Sequence, residues 1–127
     1  MNTRRRDVLK TIATVSLIHR LEAQANDKMY GLIVKITAVA GQRDALISIL
    51  LAGTTDMPGC LTYIVAKDSA DENALWITEA WDSKASHDAS LRLPAVKGAI
   101  EKGRPLIAAF GTPAIITPVG GRGLVAK

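Results

Sequence analysis

A carboxylate, an indole and an imidazole fall close together in this chain, at Glu79, Trp81 and His87. An imidazole titrates near neutrality, so His87 can take a proton from a bound molecule at physiological pH and is the natural candidate for a general base. Glu79 can orient that ring or bind a substrate hydroxyl, and Trp81 offers an apolar face on which a planar molecule can stack. Tyr63 adds a phenolic hydroxyl from a neighbouring strand. Each residue also has a purely structural reading. A lone histidine on an apolar helix face is more often a hydrogen-bonded core residue, and a tryptophan can be plain core. Glu79 between apolar residues costs too much to bury alone, so it needs a partner, for which Lys35 or a helix N-terminus would serve.

The elements that must position these groups lie in residues 73–91. Residues 73–82 have β-branched and aromatic side chains over a strand's length, and a period of two puts Leu75, Ile77, Glu79 and Trp81 on one face. Trp76, Thr78 and Ala80 then occupy the other. Asp82 and Ser83 supply a helix N-cap, after which His87 and Leu91 stand four apart and share a side of the helix. A strand that feeds a helix therefore gathers the candidates, with Leu75 and Ile77 as apolar walls for any pocket.

Upstream, residues 29–39 read as a strand and 42–52 as a helix, with Gly53 as its C-cap. The Asp-Met-Pro-Gly sequence at 56–59 is a turn, in which Gly59 takes the positive φ. A second strand follows at 60–66, and a polar loop at 67–72 returns the chain antiparallel into the strand that begins at Asn73. Downstream, Pro94 interrupts the pattern before a helical stretch at 95–102. The apolar run 106–110 extends that helix or connects onward, 114–119 is a last edge strand, and 120–127 has the composition of a loose tail. The order β-α-β-β-α-β predicts an α+β, ferredoxin-like split βαβ domain over residues 26–119. Its four-stranded antiparallel sheet carries both helices on one face. The other face, with Tyr30, Trp76, Thr78 and Ala80, would be an uncovered apolar patch, most simply closed by a second copy of the chain in a homodimer.

With 127 residues, 48% hydrophobic and 22% charged, the chain is sized for one globular domain. The pI of about 9.5 and net charge of +4 suggest nucleic acid only at first sight. Residues 1–25 hold Arg4, Arg5, Arg6, Lys10 and Arg20 against Asp7 and Glu22, three of the four net charges, and the remainder has no basic stripe. Those same residues resemble a twin-arginine export signal, with Arg5 and Arg6 as the pair, a short apolar stretch at 11–18, and a small-x-small cleavage site at 23–25. This predicts a periplasmic domain, the alternative being an amphipathic N-terminal helix on a cytoplasmic protein. Eight apolar residues are too few to span a bilayer, so no permanent membrane anchor is expected. Cys60 is the single cysteine, read as a small apolar residue at a strand start, and neither histidine has a partner at metal-ligand spacing.

Five stretches, taken together and in order, resemble the antibiotic biosynthesis monooxygenase family, in particular its small quinol-monooxygenase-like members. They are Met-Tyr-Gly-Leu-Ile-Val-Lys at 29–35, Asp-Met-Pro-Gly-Cys-Leu-Thr-Tyr at 56–63, Ile-Thr-Glu-Ala-Trp-Asp-Ser at 77–83, His-Asp-Ala-Ser-Leu at 87–91 and Gly-Arg-Pro-Leu-Ile at 103–107. The resemblance covers about residues 29–118. It implies a dimeric α/β barrel that oxidises phenolic or quinol substrates with O2 and needs no flavin, haem or metal cofactor. His87 would be the base, assisted by Glu79, with Trp81, Tyr63, Ile77 and Leu75 around the substrate. A related haem-degrading branch would need an Asn near Val34 and a haem-ligating His near Ile100. This chain has neither, although Trp81 corresponds to that branch's tryptophan. Two other functions stay open: a non-catalytic dimer that holds an apolar small molecule, and an isomerase or lyase using the same acid-base group.

Overall fold

The computed structural model describes residues 29–124, so the export-signal reading of residues 1–25 lies outside the described residues. Strand β1 (Tyr30–Ala38) leads to helix α1 (Arg43–Gly53), then to β2 (Cys60–Lys67) and β3 (Ala74–Trp81). Two helices follow, α2 (Lys84–Ser90) and α3 (Pro94–Gly103), and a short 3-10 turn at Arg104–Leu106 passes the chain to β4 (Ile107–Phe110) and β5 (Ala114–Ile116). All pairings are antiparallel, in the order β2-β3-β1-β4, with β5 also on β1.

The fold class is the one the element order predicts, with one difference at the sheet edge. The run at 106–110 is mostly strand rather than helix or connector, and the strand expected at 114–119 ends at Ile116. Together β4 and β5 form one edge in two pieces: β4 lies on Ile36–Ala38 and β5 on Gly31–Ile33. Between them Gly111 donates its N–H to the Lys35 carbonyl at 2.8 Å. A Cβ on Gly111 would lie 2.8 Å from that oxygen, so only glycine allows this approach. The expected fourth strand thus becomes a fourth and a fifth.

Register decides which side chains meet. β1 and β3 pair Tyr30 with Trp81, Leu32 with Glu79, Val34 with Ile77 and Ile36 with Leu75, so these eight share the face that the helices cover. Val34, Ile36, Leu75 and Ile77 pack there with Leu46 of α1 as the main core, and Met57, Trp81 and Val96 form a second cluster beside it. Tyr30 therefore stands on the helix side, not on the open face as expected, because its partner across the ladder is Trp81. The open face carries Ile33, Trp76, Thr78 and Ile64, with Ile64 53% and Trp76 38% exposed.

Local chemistry fixes the joints. Gly59 sits at φ +84°, as its turn requires, and an added side chain would run into Ser86 of α2. Ser83 caps α2 by accepting the Ser86 N–H at 3.1 Å. Pro94 occupies the first turn of α3, where its missing N–H costs nothing. Arg43 donates to the carbonyls of Asp68, Asp71 and Ala74 and so ties α1 to the β2–β3 loop.

Gly53 is the last residue of α1 rather than a cap beyond it. A Cβ there would fall 2.5 Å from the Ala99 Cβ and 2.9 Å from the Ala95 carbonyl, so glycine is what lets α1 and α3 touch. In α3, by contrast, a Cβ on Gly98 meets nothing within 4 Å. Two glycine-to-alanine changes in helices should therefore have opposite signs. Gly53→Ala is expected to destabilise by about 1–3 kcal/mol through overpacking, and Gly98→Ala to stabilise by about 0.5–1 kcal/mol through helix propensity. Chemical denaturation of the two variants checks this.

Candidate functional site

Alternation along β3 delivers Ile77, Glu79 and Trp81 to the helix-covered face, and the β3–α2 junction brings His87 over them. Glu79 and Trp81 are two residues apart on one strand, so both point the same way. The Trp81 indole N–H donates to Glu79 Oε1 at 2.8 Å. Trp81 is 1% exposed and Glu79 9%, so this bond lies in the interior. His87 Nε2 faces the same Oε1 at 3.6 Å, and Nδ1 lies 3.0 Å from Asp88 Oδ1. The ring packs against Tyr30, with centroids 5.0 Å apart at 49°, and lies T-shaped to Trp81, at 5.5 Å and 86°. The partners of Glu79 are thus Trp81 and His87, neither Lys35 nor a helix end.

These groups border a cavity of about 550 Å³ between the sheet and the helices. Its wall is mostly apolar, with Leu32, Val34 and Ile36 from β1, Leu46 and Leu50 from α1, and Val96 and Ala99 from α3. Glu79, Trp81, His87, Tyr63 and Ile77 all reach it. Leu75 does not: it is fully buried in the core cluster around Leu46 and plays no part in the wall. Phe110 on β4 and Pro113 on the β4–β5 link also line it.

Burial raises the Glu79 pKa above the ordinary carboxylate range, an effect that the Trp81 N–H and His87 partly offset. A contact between Glu79 and His87 at 3.6 Å is favourable when at least one of the two carries a proton. The pair is therefore suited to holding and moving one proton at the cavity wall. Tyr63 pairs with Glu79 across the β2–β3 ladder, and burial together with that carboxylate pushes its phenol well above its usual pKa. It stays a neutral hydroxyl. Burial and Glu79 likewise raise Cys60, which donates weakly to the Thr62 carbonyl, so its thiolate is disfavoured. Among the described residues no three His, Cys, Asp or Glu side chains gather as a metal site would need.

Sequence reading located the residues of β3 and α2 but missed Tyr30 and Asp88 as the neighbours of His87. Tyr30 could be found only through the β1–β3 register. Asp88 is adjacent to His87, yet adjacent helical residues do not ordinarily face one another, so spacing gives no signal for it.

The antibiotic biosynthesis monooxygenase family model matches residues 29–102. A solved structure from Chloroflexus aurantiacus J-10-fl, whose name provisionally places it in that family, is 59% identical over 76% of this chain and 99% of its own, with a TM-score of 0.75. More distant structures share the fold. One from Nitrosomonas europaea, provisionally named in the same way, is 14% identical over 73% of this chain and 92% of its own, with a TM-score of 0.68. Another from Caulobacter crescentus CB15 is 18% identical over 82% and 100%, with a TM-score of 0.62. No curated protein matches significantly. By the family match over most of its domain and by this likeness, the chain belongs to the antibiotic biosynthesis monooxygenase family.

Proposed function

We propose that this chain is a cofactor-independent oxygenase of small phenolic or quinol substrates, with His87 as general base. One observation carries the reading: the imidazole and the buried carboxylate stand together on the wall of a mostly apolar cavity of about 550 Å³, within the size range of small-molecule sites. Triplet O2 reacts readily with a molecule that gives up one electron, and a phenol or quinol does so only after losing a proton. His87 takes the hydroxyl proton onto Nε2, and the anion transfers one electron to O2. The radical pair then combines at a hydrogen-bearing ring carbon as a peroxide, which takes the proton back from His87 and loses water to leave a carbonyl at that carbon. The apolar wall disfavours water, and Tyr63 donates a hydrogen bond to the phenolate oxygen. Trp81 supports the arrangement by holding Glu79 and by giving the ring an aromatic wall.

The working unit in this reading is a homodimer joined through the open sheet face, where Ile64, Trp76 and Ile116 are exposed together. Among the described residues no helix is long and apolar enough to cross a membrane.

Three outcomes test this. With a menadiol-type quinol, the protein is expected to accelerate O2 uptake, and His87→Ala to lower kcat/KM by roughly 100-fold or more, the ordinary contribution of a general base. Full activity in His87→Ala would remove the mechanism, and a retained ligand without O2 uptake, seen by native mass spectrometry, would favour a binding protein. Turnover without oxygen would indicate an isomerase or lyase.

A second test uses the Glu79 pKa. Because the folded state raises it, the contribution of Glu79 to stability is present below the unfolded value of about 4.3 and is lost as pH rises through the folded value. Glu79→Gln keeps an acceptor for Trp81 and does not ionise. Its stability relative to the native protein is expected to improve as pH rises above the unfolded carboxylate value of about 4.3, measured by denaturation at each pH. For the dimer, Ile64→Arg places a charge in the open face and is expected to yield monomers in sedimentation velocity.

A further inference from the structure

We propose that Asp88 is a positioning residue for His87, fixing the imidazole in the tautomer whose unprotonated Nε2 faces Glu79 and the cavity. This rests on the reading of His87 as a base, and it adds the group that makes one ring nitrogen basic and the other a donor. His87 Nδ1 lies 3.0 Å from Asp88 Oδ1. The Asp88 carboxyl is held below its usual pKa by Lys84 and then by His87, so it is an acceptor only and Nδ1 must carry the hydrogen.

Asp88 is itself held. Its other oxygen, Oδ2, accepts from Lys84 Nζ at 2.8 Å, one helical turn earlier. Adjacent helical side chains point well apart, so the His87–Asp88 contact requires both to lean together, and the lysine bridge fixes the aspartate half of that geometry. Tyr30 and Trp81 pack against the ring. With Nδ1 engaged, the remaining nitrogen faces Glu79 Oε1 at 3.6 Å and the cavity that both residues line, and with no hydrogen on Nε2 the proton that makes this contact favourable belongs on Glu79, whose burial favours its protonated form. Asp88 does not reach the cavity wall, so it acts only through His87. The charged or titratable groups around the ring are Glu79 from β3, Tyr30 from β1, and Lys84 and Asp88 from α2.

The test is the long-range proton-nitrogen NMR spectrum of the full-length, nitrogen-15-labelled protein, with His19→Gln to identify the second histidine. The native protein is expected to show His87 protonated at Nδ1 with a pyridine-like Nε2. Asp88→Asn keeps an acceptor oxygen and should keep this pattern, whereas Asp88→Ala should mix the two tautomers. In O2-uptake kinetics Asp88→Ala should lower kcat about tenfold with KM nearly unchanged, and Asp88→Asn should recover most of the loss. A hydrogen on Nε2 in the native protein, or an unchanged tautomer in Asp88→Ala, would overturn the proposal. The spectra need no turnover, so absence of O2 uptake by the native protein would defeat the oxygenase reading while the tautomer still decides the role of Asp88.

Discussion

The register between β1 and β3 is the constraint on which everything else rests. Side chains alternate across a strand, so a slip of one residue would send Tyr30, Leu32, Val34 and Ile36 to the far side of the sheet and bring Lys35 into the interior. The hydrophobic pattern resists this strongly, because Val34, Ile36, Leu75 and Ile77 are almost wholly removed from water on one face. The same choice that fills the core also buries Glu79, since it occupies the same face of the same strand.

That burial is the one local conflict in an otherwise consistent sheet. A carboxylate surrounded by Leu32, Tyr63 and Trp81 loses its hydration, and the protein returns only part of it through one indole N–H and one imidazole. A leucine at this position would suit packing better, but it would give the cavity no proton-holding wall. The conflict is concentrated where β3 meets α2, and the joints there are correspondingly firm: the Ser83 cap, the Gly59 turn against Ser86, and Pro94 at the start of the next helix.

Much of this was legible in the sequence because it depends on short-range periodicity. The alternation at Leu75, Ile77, Glu79 and Trp81, the Ser83 cap and the positive φ at Gly59 are properties of a few consecutive residues. What was not legible depends on which strands lie side by side. Nothing within its own strand says that Tyr30 opposes Trp81, so its side of the sheet follows only from the pairing. Alternation gives Leu75 a face but not a depth, and its end of β3 lies under α1. The tight neighbour of Gly53, Ala99, is 46 residues away, so sequence alone offers only a cap there. Four residues at Ile107–Phe110 cannot show a period.

The divided edge bears on how the cavity could change its shape. Most of the cavity wall rests on strands of eight or nine residues and on packed helices, where a shift of backbone would disturb many ladder bonds. The side bounded by Phe110 and Pro113 hangs on strands of four and three residues joined by a short link. Insertions and side-chain changes there alter the shape of the chamber while Glu79 and His87 keep their places. Divergence in cavity shape can thus proceed at one margin of the sheet, separated from the buried Glu79–His87 pair.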